Sequence, residues 1–289
     1  MAFDQRQVVI PDLYKKKAQG IPITSIGVFD AQTARIADTV GIDMLIIGDA
    51  GGICMLGYDR MNSIPLDDMI MMTKAVARGT KRGLVVTDMP YMTYHFSVED
   101  GIRNSARCIS EGGARAVKCE GNAMIAEKYV KPIADAGIPV MAHIGVEGFK
   151  ISAHGARAHG KTAKEAHELV ADAKAMEEAG CFAIIAEVMT PEVTGYIRRA
   201  VSIPVISLGS GTDADGVYII SCDMLHMCGE RTPRSAKVYA DVSAVIEKAF
   251  REYVDDINQK RYPGPENCVP MVAGEKEKFF AEVGALQHA

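Results

Sequence analysis

Tryptophan is absent, and aromatic residues of all kinds account for only 6% of the 289 residues. Sixteen methionines are present, but methionine mostly fills gaps in cores and names no function. Positive charge is not in excess either: 32 lysines and arginines against 37 aspartates and glutamates leave a formal charge of −5. That balance speaks against a nucleic-acid partner, which asks for a basic face. No segment approaches the roughly 18 to 20 continuous apolar residues of a membrane span, so no membrane partner is expected. The stretch Met1 to Arg6 is not a basic region leading into an apolar one, and no signal peptide is visible. Paired cysteines are missing as well. The seven cysteines form no C-x-x-C pair, their number is odd, and several sit in apolar runs. They are expected to be reduced core thiols of a cytoplasmic protein, neither a disulfide frame nor a zinc site.

What remains is an ordinary soluble composition, 48% apolar and 24% charged, at a length that suits one α/β barrel of about 250 residues. A helix is expected at residues 10–19, with Asp12 near its start and Gly20 past its end. A strand over 21–28 follows, then Asp30 caps a helix over 31–40 that stops at Gly41. Further strands are expected at 44–47, 84–86, 114–119, 139–142, 182–186 and 204–208. Helices over 67–78, 98–110, 122–136, 162–179 and 191–200 alternate with them. A loop spans 53–65, and 144–161 is the most irregular stretch. A short helix is expected at 214–219, the eighth strand near 223–227, a long helix at about 236–260 and another short helix in the tail. Such βα repetition implies right-handed crossovers, and a count of eight favours a closed (β/α)8 TIM barrel over an open sheet. The expected domain is single: a leading N-terminal helix, a barrel over about 20–230 and a C-terminal helical extension over about 231–289.

Five of these strands deliver an ionisable side chain at their carboxyl end: Asp49, Asp88, Glu120, His143 and Glu187. In a parallel barrel those ends share one face, so the five residues converge there. Asp49, Asp88 and Glu120 are hard oxygen ligands suited to Mg²⁺, directly or through water. Each also stands where a carboxylate would merely cap a helix; three together favour the metal. Lys118 lies two residues before Glu120 and shares its side of the strand, an expensive placement unless it pairs with the acids or with an anionic substrate. An interior ion pair without chemistry is the alternative. His143 is either a donor to substrate or a satisfied core histidine. Glu187 is set for proton transfer, or caps the helix near Pro191. The glycines at 48–52 and 209–211 match neither a P-loop nor a dinucleotide fingerprint, although the second group follows the seventh strand, where barrels often bind phosphate. His154 and His159 sit in the irregular loop and could contact a ligand, although exposed loop histidines usually do nothing.

These residues also carry a family resemblance. Gly27-Val28-Phe29-Asp30, Ile47-Gly48-Asp49, Asp88-Met89-Pro90-Tyr91-Met92, Val117-Lys118-Cys119-Glu120-Gly121, His143-Ile144-Gly145, Glu187, Ile203-Pro204-Val205-Ile206, Gly209-Ser210-Gly211 and Asp215-Gly216 resemble the ketopantoate hydroxymethyltransferase family. That family lies within the phosphoenolpyruvate mutase and isocitrate lyase superfamily, and the similarity runs from about residue 10 to 260. The resemblance implies a Mg²⁺-dependent enzyme that moves a one-carbon unit from 5,10-methylenetetrahydrofolate to a small branched 2-oxo acid, turning 3-methyl-2-oxobutanoate into 2-dehydropantoate through an enolate. It implies Asp49, Asp88 and Glu120 as the metal site, Glu187 as the acid/base, and Asp49, Ala50, Asp88, Lys118 and His143 as the positions that meet the substrate. A homo-oligomer is implied too.

There are departures. The family usually has serine where this chain has Ala50, and its Gly-Leu-Thr-Pro-Gln signature is replaced by Gly145-Val146-Glu147-Gly148-Phe149. Its Gly-Gly-Tyr segment gives way to His154-Gly155-Ala156-Arg157. Two rivals follow. One is a lyase or hydrolase of the wider superfamily using the same metal site, against which stands the loop Glu120-Gly121-Asn122-Ala123 in place of a Lys-Lys-Cys-Gly-type signature. The other is a paralogue that kept the barrel and lost turnover, against which stands the retention of all six ionisable residues.

Overall fold

Eight short strands, every one parallel to its neighbours, close on themselves in the order β1 to β8 in the computed structural model of the chain. The structure describes residues 6–151, 155, 157–227 and 232–286. The strands are β1 Ile23–Gly27, β2 Met44–Ile47, β3 Leu84–Asp88, β4 Ala116–Glu120, β5 Val140–Gly145, β6 Ala183–Glu187, β7 Val205–Leu208 and β8 Gly216–Ile220. β8 pairs back onto β1, Ile23 opposite Gly216 and Gly27 opposite Ile220. The expected (β/α)8 TIM barrel is therefore present, with α1 Ile10–Gln19 leading it.

Side chains alternate along each strand, and the two sets build two different layers. Ile23, Met44, Ile46, Leu84, Val86, Ala116, Met141, Ala183, Ile185, Ile206 and Tyr218 fill the interior. Val8 and Leu13, from α1 and the residues before it, join the same cluster. The alternate positions face the helices, as with Val117, Cys119, Val140, Ala142, Ile184 and Val205. One more step along the inward row, the apolar residues give way to Asp88, Lys118, His143 and Glu187, with Glu120 a further step along β4. The core thus hands over to the site at the carboxyl ends of the strands.

Local chemistry accounts for most helices. Asp30 accepts from the backbone N–H groups of Gln32 and Thr33 and starts α2 Ala31–Thr39; Ser97 does the same for α5 Val98–Ser110 through Asp100 N–H. Between them lies α4 Leu66–Gly79. Three expectations are corrected. Residues 216–220 form β8, where a helix was expected over 214–219, and the stretch placed as the eighth strand, 223–227, instead begins within the helical turn Ser221–Met224. Residues 50–56 form a helix, α3 Ala50–Leu56, ahead of the expected loop's remainder. Between Ala123 and Asp135 the expected helix carries a π-helical turn over Ala126–Val130.

The chain forms two compact units, residues 1–240 and 241–289. The second holds the helix Val242–Asn258, a cis Tyr262–Pro263 bond and the helix Glu275–Leu286. Among the described residues no helix is long and apolar enough to cross a membrane. Cys108, Cys119, Cys181 and Cys222 are buried free thiols and Cys268 an exposed one. Cys54 is disulfide-bonded, which corrects the expectation of reduced thiols at that position. Cys228 and His154 lie outside the described residues.

Candidate active site

The seven positions singled out from the sequence line one cavity at the carboxyl face of the barrel: Asp49, Ala50, Asp88, Lys118, Glu120, His143 and Glu187. Its volume is about 60 Å³ measured to the centres of water-sized groups, room for several of them. Strand register brings the polar residues side by side. Asp88 of β3 is opposite Lys118 of β4, and Glu120 of β4 is opposite His143 of β5.

Lys118 is the hub. Its Nζ donates to Glu120 Oε1 at 3.2 Å, stands 2.8 Å from Asp88 Oδ1 and comes within 2.8 Å of His143 Nδ1. The Asp88 contact is close in distance but lacks directed hydrogen-bond geometry. His143 Nδ1 lies 3.0 Å from Glu120 Oε1, and Nε2 lies 2.8 Å from Glu187 Oε2. Glu187 therefore does not stand apart from the other acids; His143 links it to them. Gly148 N–H donates to Glu120 Oε2 at 3.0 Å, so the altered loop after β5 still reaches the site. Behind Glu120, the Tyr94 hydroxyl donates to its carbonyl and accepts from its N–H.

Charge sets the protonation states. Burial alone would raise Glu120, but the charges of Lys118 and His143 and their hydrogen bonds outweigh it and hold the carboxyl at about 2. Burial and the Lys118 charge would lower His143; the carboxylates of Glu120 and Glu187 overcome both and raise it to about 9. The two glutamates thus favour the charged ring, with Nδ1 and Nε2 lying within 3.0 Å of Glu120 Oε1 and Glu187 Oε2, and Lys118 Nζ approaches the same Glu120 oxygen. Asp49 rises to about 6 through burial and the nearby Glu120 charge.

The capping alternative fails for these acids. Asp49 stands at the start of α3 and makes no capping hydrogen bond. Asn122 caps the turn after β4, Ser97 the helix after β3, and Thr190 precedes the Pro191–Ala200 helix. Instead, Asp49 Oδ2 is buried with no hydrogen-bond partner. A Cβ built on Gly148 would lie 3.2 Å from that atom and 3.8 Å from Glu120 Oε2, so the two carboxylates face a glycine-sized gap. Four carboxylates meet only two cations here, leaving two negative charges over. That donor set fits a divalent cation. Among the described residues no group of three or more His, Cys, Asp or Glu side chains stands close enough to hold one ion directly.

Other sequence candidates resolve as structure. Ser210 is fully buried, and its hydroxyl donates to Ala186 O and accepts from Met189 N–H, so the 209–211 turn ties β6 to β7. His159 bridges to Met189 through the backbone. The sequence missed Tyr218 and Met61, which also line the cavity. Tyr218 was hidden because its stretch was taken as a helix; Met61 comes from a loop that carries no periodic signal.

A closed barrel with a buried lysine, a histidine and four acids at its carboxyl face has the architecture of the (β/α)8 enzymes. Solved structures with this fold include phosphonopyruvate hydrolase (TM-score 0.59, 14% identity, 98% of this chain and 99% of that one) and 2,3-dimethylmalate lyase (TM-score 0.56, 15% identity, 95% and 98%). At that identity they share the fold alone.

The chain belongs to the ketopantoate hydroxymethyltransferase family, whose profile matches residues 7–265. Similar curated relatives are the 3-methyl-2-oxobutanoate hydroxymethyltransferases of Clostridium novyi (39% identity over 92% of this chain and 97% of that one) and Dehalococcoides mccartyi strain BAV1 (41%, 89% and 92%). These relatives favour the transferase over the lyase or hydrolase.

Proposed function

We propose that the protein is a 3-methyl-2-oxobutanoate hydroxymethyltransferase, with 5,10-methylenetetrahydrofolate as one-carbon donor and Mg²⁺ as its metal. The observation that carries the metal-dependent chemistry is the buried, unpartnered Asp49 Oδ2 facing Glu120 in a site two positive charges short. Asp49, Asp88 and Glu120 hold the ion, in part through water. A phosphonopyruvate hydrolase of the same fold has been solved in complex with oxalate and Mg²⁺.

When bound, the ion supplies the charge that lets a chelated 2-oxo acid lose its C3 proton. Lys118 and His143 neutralise and orient the substrate's anionic end. Met61, Ile151, Leu208 and Ile220 line the same cavity and offer an apolar surface to a branched alkyl group. Glu187 takes the proton from C3, its carboxylate oriented by His143 Nε2. C3 then bonds to the one-carbon unit, whose two C–N bonds to the donor break; water supplies the hydroxyl oxygen and tetrahydrofolate leaves. In this reading the enzyme is a cytoplasmic homo-oligomer acting on small molecules, without nucleic acid or membrane partners.

The test is hydrogen exchange at C3 of 3-methyl-2-oxobutanoate in D₂O. Exchange is expected with Mg²⁺, is expected to stop with EDTA and is expected to fall by about 10² to 10⁴ in Glu187→Gln. Exchange that persists with EDTA, or that Glu187→Gln leaves near the wild-type rate, would overturn the mechanism. Product formation with and without methylenetetrahydrofolate then tests the donor.

A further inference from the structure

We infer that Tyr218 is a substrate-binding and specificity-determining residue, its hydroxyl donating a hydrogen bond to an oxygen of the bound 2-oxo acid. The inference rests on the functional reading above. Tyr218 sits on the inward row of β8, opposite Ser25 of β1, and its ring packs in the barrel interior with only 5% exposure. Packing alone would be satisfied by phenylalanine. The hydroxyl instead reaches the carboxyl face and lines the cavity with Asp49, Asp88, Lys118, Glu120 and His143.

Two strand ends are bare where it passes. A Cβ on Gly27 would lie 2.8 Å from the Tyr218 oxygen and one on Gly48 would lie 3.5 Å away. The path of the phenol is thus built by two glycines on neighbouring strands. Yet the hydroxyl forms no hydrogen bond among the described residues. A tyrosine hydroxyl this deep normally has a partner, so a free one aimed into a cavity is set for a ligand.

The ligand's chemistry follows from the donors that remain. Lys118 Nζ is held between Asp88 and Glu120, while His143 Nε2 stands 2.8 Å from Glu187 Oε2 without directed hydrogen-bond geometry. Asp49 only accepts while ionised, and Ala50 has no polar side-chain atom. Beside His143, Tyr218 is the side-chain donor in the cavity lining that has no hydrogen bond among the described residues, and carboxylate and keto oxygens are acceptors only. Burial, then the charges of Asp49 and Glu187, hold the phenol above its ordinary range, which keeps it a donor.

The test compares the full-length protein with Tyr218→Phe, which removes one oxygen and keeps the ring. Calorimetric binding of 3-methyl-2-oxobutanoate and a panel of other 2-oxo acids is measured with saturating Mg²⁺. Affinity is expected to fall about tenfold or more, with Mg²⁺ affinity and Tm as in the wild type. In the full reaction KM for the oxo acid rises and KM for the one-carbon donor does not. A double-mutant cycle adds Gly27→Ala, whose new methyl displaces the hydroxyl: it should weaken binding in the wild type and do little in the Tyr218→Phe background. Equal oxo-acid binding by wild type and Tyr218→Phe, or additive effects of the two changes, overturns the inference while leaving the functional reading intact. Failure of the wild type to bind any 2-oxo acid overturns both.

Discussion

Glu187 and the residue after it show how single positions set the chemistry. Val188 has φ of 47°, a left-handed conformation that a β-branched side chain resists. It is pinned there because its N–H donates to Leu208 O and its carbonyl accepts from His159 N–H, both at 2.9 Å. Strain of this kind costs on the order of 1–3 kcal/mol and holds the neighbouring carboxylate in place. Val188→Asn, which tolerates that region, is expected to raise stability by about 1 kcal/mol and to slow C3 exchange. A thermal melt beside the exchange rate checks both signs. Glu187→Gln is expected to lower exchange by about 10² to 10⁴ while leaving Mg²⁺ affinity near that of the wild type, measured by calorimetry. Asp49 supplies the pH dependence. Its raised value near 6 means that the metal-free fold holds this proton more tightly than the unfolded chain does. The stability that proton contributes is present in acid and fades as pH rises through about 6. Metal must displace it, so Mg²⁺ affinity is expected to drop as pH falls below about 6, by up to about tenfold per unit. An affinity flat from pH 7 to 5 would show that Asp49 is no ligand.

At the scale of elements, what the sequence revealed and what it hid have physical causes. Strand tips were legible because short apolar runs ending in a charged residue occur only where a buried strand reaches an opening. Asp49, Asp88, Lys118, Glu120, His143 and Glu187 were found in this way, and register brings them into one cavity. Their partnerships were not legible: that Lys118 touches three groups at once depends on the shear of β3, β4 and β5. β8 is hidden because the glycine-rich turn at 209–213 is one that can lead into a helix as well as into a strand. In the fold Asp215 accepts from Val205 N–H and Arg198. α3 was missed because Gly51 and Gly52 suggest a turn; they are glycines since Cβ atoms there would lie 2.4 Å from Phe29 and Ile64. The 148–150 turn after β5 carries the element-level prediction. Gly148→Ala would place a methyl 3.2 Å from Asp49 Oδ2 and 2.8 Å from the flexible Met61 sulfur. Mg²⁺ affinity is expected to fall about tenfold with little change in Tm, since the methionine tip moves and the carboxylate is displaced.

Across the whole barrel the two ends do different work, and the amino-terminal end tests that division. There α1 and the residues before it close the floor, with Val8 and Leu13 packed into the barrel interior. Lys17 holds the lock: its Nζ donates to the carbonyls of Arg198, Val201 and Ile203 at 3.1, 3.1 and 2.8 Å and stands 3.0 Å from Asp215 Oδ2. Asp43 is held nearby by Lys16, Arg82 and Thr24. None of these groups lines the catalytic cavity. Removing one partner of a buried pair strands the other, at a cost of about 3–5 kcal/mol when burial is complete and less where, as for Lys17, some side chain remains exposed. Lys17→Met keeps the apolar stem and deletes the charge, so three carbonyls lose this donor and Asp215 keeps only Arg198 and the Val205 N–H. It is expected to lower stability by about 2–4 kcal/mol in denaturant melts. At a temperature where the variant is still folded, its KM for the 2-oxo acid and its Mg²⁺ affinity should match the wild type. A variant that stays stable but loses metal affinity would mean that the floor and the mouth are coupled, contrary to the separation of stability and chemistry along the barrel axis.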